Sequence, residues 1–297
     1  MDIKNMQYYL DVLAEKKMSK AAEKNFVSQP AISLLVRKME EAYGTPLLMR
    51  SKKGVEATEA GKVVAEHYKN ILSMYNRSFE EVSNLQRGRR AVRIESNLTL
   101  ATYGLPVLVY ALQNQPEFEN CYFDLTFNTG GSIENNILGG VSHIGLIQQE
   151  ETNLEKEKVA EDQLVLVAEM TFSIPETVTL EELRAYPMIE AYDKFSERKP
   201  LSETLEKYGM GLRDMNIVIT LHSTESVKTA LNGKIGVALL PLLSVKKELK
   251  RGHLKEIKII GFRETYPIYL LHSAENRYST VVRKAISFLK RKTAEYL

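Results

Sequence analysis

The sequence predicts a chain in three parts: an N-terminal winged helix-turn-helix, all-α with a small β wing, then a long linker helix, then a two-lobed α/β domain. Three observations carry this expectation. A capped, amphipathic and basic helix begins at Ser28, between a short helix and a basic hairpin. A proline-free heptad pattern starts at Thr58 and continues to Gly88. Beyond it, strand and helix patterns alternate to the end of the 297 residues, a length that suits two or three separately cored domains. The expected boundaries are 1–58 for the winged unit, 59–88 for the linker, and 91–297 for the α/β domain.

In the N-terminal part, Ile3, Met6, Tyr9, Leu10 and Leu13 recur at helical spacing and predict a helix over 3–16. Ser19 is expected to cap a short helix from Lys20 to Asn25, in which Ala21-Ala22 allow another helix to approach closely. Phe26-Val27 forms an apolar turn. At Ser28 the signal is stronger: the serine can cap free backbone donors, and Pro30 loses nothing in a first turn, where its missing N–H has no partner anyway. Ile32, Leu35, Val36 and Met39 then share one face, while Gln29, Ser33, Arg37 and Lys38 project elsewhere. Leu47 to Val55 reads as a hairpin with Arg50, Lys52 and Lys53 near its tip.

This order of helix, turn, helix and wing is the arrangement that lays its second helix in a DNA major groove. Gln29 suits bidentate pairing with adenine, Ser33 is an undemanding base partner, and Arg37, Arg50, Lys52 and Lys53 suit phosphates. Charge points the same way: residues 1–90 carry 16 Lys+Arg against 11 Asp+Glu, within a chain of net charge +2.

From Thr58, the residues Val64, Tyr68, Ile71, Tyr75, Val82 and Leu85 alternate spacings of four and three, broken at Ser78, and predict a seam for a second helix. After Gly88-Arg89-Arg90 the expected elements are strands at 91–94, 122–127, 143–147, 163–167, 188–189, 217–219, 237–240 and 267–271. Helices are expected at 102–113, 132–138, 180–186, 201–208, 224–231 and 281–296. Such alternation predicts a parallel sheet with ligands at the carboxyl ends of its strands.

Ala21-Ala22, Ser28-Gln29-Pro30-Ala31-Ile32-Ser33, Arg37-Lys38-Met39-Glu40, Arg50 and Thr58-Glu59-Ala60-Gly61 together resemble the N-terminal signature of LysR-type bacterial transcriptional regulators. The chain departs from it at Leu34, where Arg or Gln is frequent, and at Met49. Later segments, Ser223-Thr224-Glu225 and Gly233 to Pro241, are similar to the same family's effector domain, whose fold resembles periplasmic solute-binding proteins; the resemblance implies a first lobe formed by 91–161 and 266–297 and a second by 162–265. His143 stands where that family commonly has Asp. The resemblance implies a homodimer or homotetramer joined by the linker helix, promoter DNA and RNA polymerase as partners, and a small effector between the lobes. No cofactor and no membrane association are implied.

The strand-end rule places Ser96, Asn97, Thr99, Asn128 and Thr129 at the interlobe cleft, with Thr224 facing them at a helix start. Unpaired N–H groups at helix N-termini favour an anion there, a carboxylate for example. Enzyme chemistry lacks its parts: the five histidines have no metal-ligand spacing, and neither a phosphate-binding Gly loop nor a nucleophile elbow occurs. The single Cys121 argues for a reducing compartment. No stretch approaches the roughly 20 apolar residues of a membrane span, and the expected location is cytoplasmic. A second reading, a solute-binding or sensor protein whose N-terminal helices serve assembly, would not discriminate between DNA sequences.

Overall fold

The structure, a computed structural model, describes residues 2–51, 54–148, 152–192, 201–274 and 280–297, with Arg50, Ser51, Glu81 and Leu85 described by backbone alone. The chain forms two compact units, Met1–Gly88 and Arg89–Leu297.

The first unit comprises α1 (Ile3–Glu15), α2 (Met18–Lys24), α3 (Gln29–Tyr43), the hairpin β1 (Leu48–Ser51) and β2 (Gly54–Ala57), and α4 (Glu59–Gln86). The apolar face of α3 is what anchors it. Ile32 and Val36 pack with Val12, Ala21 and Ala22, while Met39 joins Tyr9, Leu47, Val64, Ala65 and Tyr68. Each such side chain contributes on the order of 1.5–3 kcal/mol when buried. The Ser28 hydroxyl accepts the Ala31 N–H (3.4 Å) at the start of α3, and Gly44 in a left-handed conformation ends it.

Two tertiary ties fix the wing. Glu40 of α3 accepts the backbone N–H groups of Leu47 (2.9 Å) and Leu48 (3.1 Å). The Lys16 carbonyl, in the turn between α1 and α2, accepts the Val55 N–H at 2.9 Å. That approach requires Gly54, at φ +115°, because a Cβ there would come within 2.4 Å of the same carbonyl.

The expectation that Ser19 caps the second helix is corrected: α2 starts after Lys17, so Ser19 already lies in its first turn. A larger correction concerns α4. Val64 and Tyr68, expected in a seam for another helix, are 6% and 1% exposed in their own domain's core. The rings of Tyr68 and Tyr9 meet edge to face at 5.8 Å, and the Tyr9 hydroxyl donates toward the carbonyls of Leu47 (3.2 Å) and Gly61 (3.1 Å). Burial, followed by the nearby Glu40 and Tyr43, pushes the Tyr9 hydroxyl up to about 12. Farther along α4, Ile71, Met74, Tyr75, Phe79 and Val82 are exposed.

The second unit runs through β3 (Arg90–Ser96), a π-helical turn (Leu100–Gly104) leading into α5 (Leu105–Gln113), β4 (Cys121–Phe127), α6 (Gly130–Leu138), β5 (Ile144–Ile147) and the long β6 (Lys156–Glu169). It continues through β7 (Thr177–Val178), α7 (Leu180–Leu183), β8 (Met188–Ala191), α8 (Leu201–Glu206), β9 (Ile217–Leu221), α9 (Thr224–Asn232), β10 (Val237–Pro241) and α10 (Leu242–Lys250). β11 (Leu254–Ile259), β12 (Thr265–Leu271) and α11 (Thr280–Tyr296) complete it.

The sheet order is β4-β3-β5-β12-β6-β10-β8-β9, with β11 also paired to β6 and β7. The expected parallel sheet is thus corrected to a mixed one. β3 runs parallel to β4 and β5, and β8 parallel to β9 and β10, but β6 and β12 are antiparallel to their neighbours. The reason is the crossing. The first half of β6 pairs with β12 as far as Gln163, and its second half pairs with β10 from Leu164 onward. One strand therefore belongs to both lobes. Asp162, 4% exposed, sits at this crossing and accepts the Leu243 N–H (3.2 Å) in the first turn of α10. Separate apolar cores fill the first lobe, around Ile94, Leu108, Phe118 and Leu289, and both faces of the second, around Leu166 and Val237 and around Val167 and Leu231.

Candidate functional site

At the start and along the outer side of α3, Ser28, Gln29, Pro30, Ser33 and Arg37 are all exposed, whereas Ile32, Val36 and Met39 are buried. Because the helix is held by its apolar face and by Glu40, its outer face has no packing duty. Arg37 pairs with Glu41 (3.0 Å), both side chains being mostly in water, so the pair is weak and the guanidinium can be redirected at small cost. The backbone of Arg50 lies in β1; Lys52 and Lys53 fall outside the described residues. The motif residue Gly61 also has a structural reason: a Cβ there would lie 1.9 Å from the Leu47 carbonyl oxygen.

The expected effector residues divide into two groups. Ser96, Asn97 and Thr99 are buried, with exposures of 0%, 2% and 4%. Asn97 caps the helix that follows β3, its Oδ1 accepting the Leu100 N–H and its Nδ2 donating to Gln148 Oε1, both at 2.9 Å. The helix expected from residue 102 thus begins earlier, through a π-helical turn, an irregularity frequent at functional sites. Thr129 is exposed, with Asn128 and Thr224 half-buried. Thr224 is the first residue of α9, but the cap is Ser223, which accepts the Ser226 N–H at 3.1 Å.

The fold also makes a connection between the lobes that no local sequence pattern reveals. Tyr103, in the π-helical turn, donates its hydroxyl to Glu225 of α9 at 2.7 Å. Glu225 also pairs with Lys228 (2.7 Å), which in turn pairs with Glu248 (2.9 Å) and lies 4.9 Å from the centre of the Tyr103 ring. Burial opposes ionisation of Glu225 and Lys228 alike, yet their mutual hydrogen bond, with those to Tyr103 and Glu248, outweighs it: the carboxyl titrates lower than usual and the ammonium higher. Burial and the Glu225 carboxylate together hold the Tyr103 hydroxyl protonated well above its ordinary range. The only signal for this cluster was Glu225 in a helix start, which does not reveal a partner 122 residues away.

His143 likewise acquires a role from the fold: its Nδ1 accepts the Arg93 N–H of β3 at 2.9 Å. Cys121 is half-buried, and burial, only partly offset by Arg90, pushes its thiol up.

Comparison with known proteins matches residues 3–62 to the bacterial regulatory helix-turn-helix protein, lysR family, and residues 85–294 to the LysR substrate binding domain. The "probable RuBisCO transcriptional regulator" of Phaeodactylum tricornutum is 26% identical over 274 residues, spanning 89% of this chain and 88% of the relative. A protein of the same description from Trichormus variabilis is 28% identical over 284 residues, spanning 93% and 83%. Among solved structures, CbnR, a LysR family transcriptional regulator, shares the fold with a TM-score of 0.72 at 20% identity, over 99% of both chains. Full-length CbnR complexed with its target DNA gives 0.69 over 99% and 100%. With one matched region on the helix-turn-helix and the other across the α/β unit, the chain belongs to the LysR family and is a DNA-binding transcriptional regulator rather than an enzyme.

Proposed function

We propose that this regulator binds promoter DNA as a homodimer or homotetramer, with α3 of each copy in a major groove, and that a small anionic metabolite between the lobes adjusts its action on RNA polymerase in the cytoplasm. Gln29 and Ser33 contact base edges, while Arg37, Arg50, Lys52 and Lys53 hold phosphates. The observation that carries this reading is the outer face of α3, capped at Ser28 and free of packing, with Gln29, Pro30, Ser33 and Arg37 all exposed.

The pairing surface is the outer part of α4. With Val64 and Tyr68 committed to the domain core, Ile71, Tyr75 and Val82 remain exposed from the expected seam, Met74 and Phe79 join them, and the Leu85 side chain lies outside the described residues. Exposed apolar residues at helical spacing over several turns favour a second helix as partner.

The effector contacts fall on Asn128, Thr129 and Thr224, which retain access to water, while Ser96, Asn97 and Thr99 shape the strand end beneath them. An anion arriving at α9 meets Glu225 already beside Lys228, so it binds by exchanging with that carboxylate. Differential affinity for one subunit packing is what lets it act.

The test is a titration of upstream promoter DNA and random DNA across a salt series. Tighter promoter binding at every salt concentration supports the reading; equal affinities would leave only phosphate contacts and assembly. For the effector site, Thr224→Val should weaken effector binding by calorimetry while leaving promoter affinity intact.

A further inference from the structure

The centre of the exposed face of α3 is apolar. Pro30, Ala31 and Leu34 are all exposed, Leu34 by 54%, and they are neighbours because residues three and four apart meet on a helix surface. Leu34 lies roughly opposite the buried side formed by Ile32, Val36 and Met39. Gln29 and Ser33 border this strip on one side, and Arg37 and Lys38 close it one turn farther along the helix. A leucine in that position neither packs within the domain nor donates a hydrogen bond.

We infer that Leu34, with Pro30 and Ala31 behind it, takes the 5-methyl group of a thymine and makes this regulator require a T:A pair at one operator position. The inference rests on the reading of α3 as the major-groove helix. The thymine methyl is the one apolar group that base pairs present in the major groove, and it favours contact with apolar side chains. The same leucine disfavours other bases. Against guanine or adenine it would cover N7 or O6 acceptors with no donor, and against cytosine it would cover an amino group with no acceptor. The cations and amides bordering the strip fit a groove walled by phosphates, an arrangement a protein partner for a bare leucine does not require. At 1.5 Å per residue, Leu34 lies about 7.5 Å along the axis from Gln29. The thymine is therefore expected within about three base pairs of the position that depends on Gln29.

The experiment first selects preferred duplexes from a random library with the full-length protein. It then measures affinities for the selected operator with each thymine replaced in turn by uracil, which removes only the methyl group. One uracil near the Gln29-dependent position should weaken wild-type binding about fourfold, the value of one buried methyl. L34A should bind thymine and uracil duplexes alike, and because Leu34 is exposed it should unfold at the wild-type midpoint. If a specific operator emerges but every uracil duplex binds as tightly as the parent, or L34A keeps the same uracil penalty, the leucine assignment is overturned alone. If the wild-type protein enriches no sequence at all, the major-groove reading fails and this inference with it. If L34A changes only association with another protein, the strip is a protein contact and the inference is wrong.

Discussion

Gln29 and Ser33 project into water from α3, whereas Ser96, Asn97 and Thr99 at the end of β3 are almost fully buried. Both sets are polar residues beside a helix start, and the fold treats them differently. In the helical unit an apolar face and the Glu40 carboxylate hold α3, so its polar residues are left in water. At the end of β3 the polar groups themselves hold the junction, as the Asn97 cap and its bond to Gln148 illustrate. Function and stability should separate by mutation in the first place and remain mixed in the second.

The largest expected effect breaks the support beneath α3. Gly61→Ala should cost about 3 kcal/mol, since its Cβ would overlap backbone that cannot move without opening the contact between Leu47 and Tyr9. Denaturant unfolding would register this, and a wild-type midpoint would mean that the start of α4 can shift. Next comes the contrast itself. Asn97→Ala should lower stability by about 2 kcal/mol through the lost cap and the stranded Gln148 partner. Gln29→Ala should stay within about 0.5 kcal/mol of wild type.

A pH dependence sharpens the picture of the helical unit. Burial pushes the Asp11 carboxyl up, but hydrogen bonds from Lys24, Asn25 and Gln7 outweigh it, and it titrates below its ordinary value of 3.8. A carboxyl lowered on folding gives stability that is complete above that ordinary value and is lost as pH falls through the lower folded one. The difference in unfolding midpoint between wild type and Asp11→Asn should therefore be constant from neutral pH to about pH 5 and shrink below about pH 4. A gain rather than a loss is expected at Phe26, which is 96% exposed at φ +54°. Phe26→Asn should raise stability by up to about 1 kcal/mol, because asparagine tolerates the left-handed conformation better and no packing is lost.

The sequence was most informative where function and local pattern coincide. Ser28, Pro30 and the spacing of Ile32, Val36 and Met39 define α3 without any distant information, and Thr58 and Gly88 bound α4 in the same way. What escaped depends on partners far along the chain. Val64 and Tyr68 fit a heptad, but Tyr9, more than 50 residues earlier, covers them. Lys156-Glu157-Lys158 shows no strand pattern, and its strand forms because β12 supplies the ladder. The Tyr103–Glu225 bridge and the Asp162 contact with α10 likewise exist only once the lobes are built. At the candidate site, the exposure of Gln29, Pro30, Ser33 and Arg37 was therefore legible, while the buried roles of Asn97 and His143 were not.

The central claim is that the exposed tip of α3 reads base edges. The most direct measurement compares wild type and Gln29→Ala on the selected operator and on random duplex over a salt series. A lost bidentate base contact predicts at least fivefold weaker operator binding, unchanged random binding and an unchanged salt slope. Equal weakening on both duplexes with a shallower slope, or no weakening on either, would contradict it.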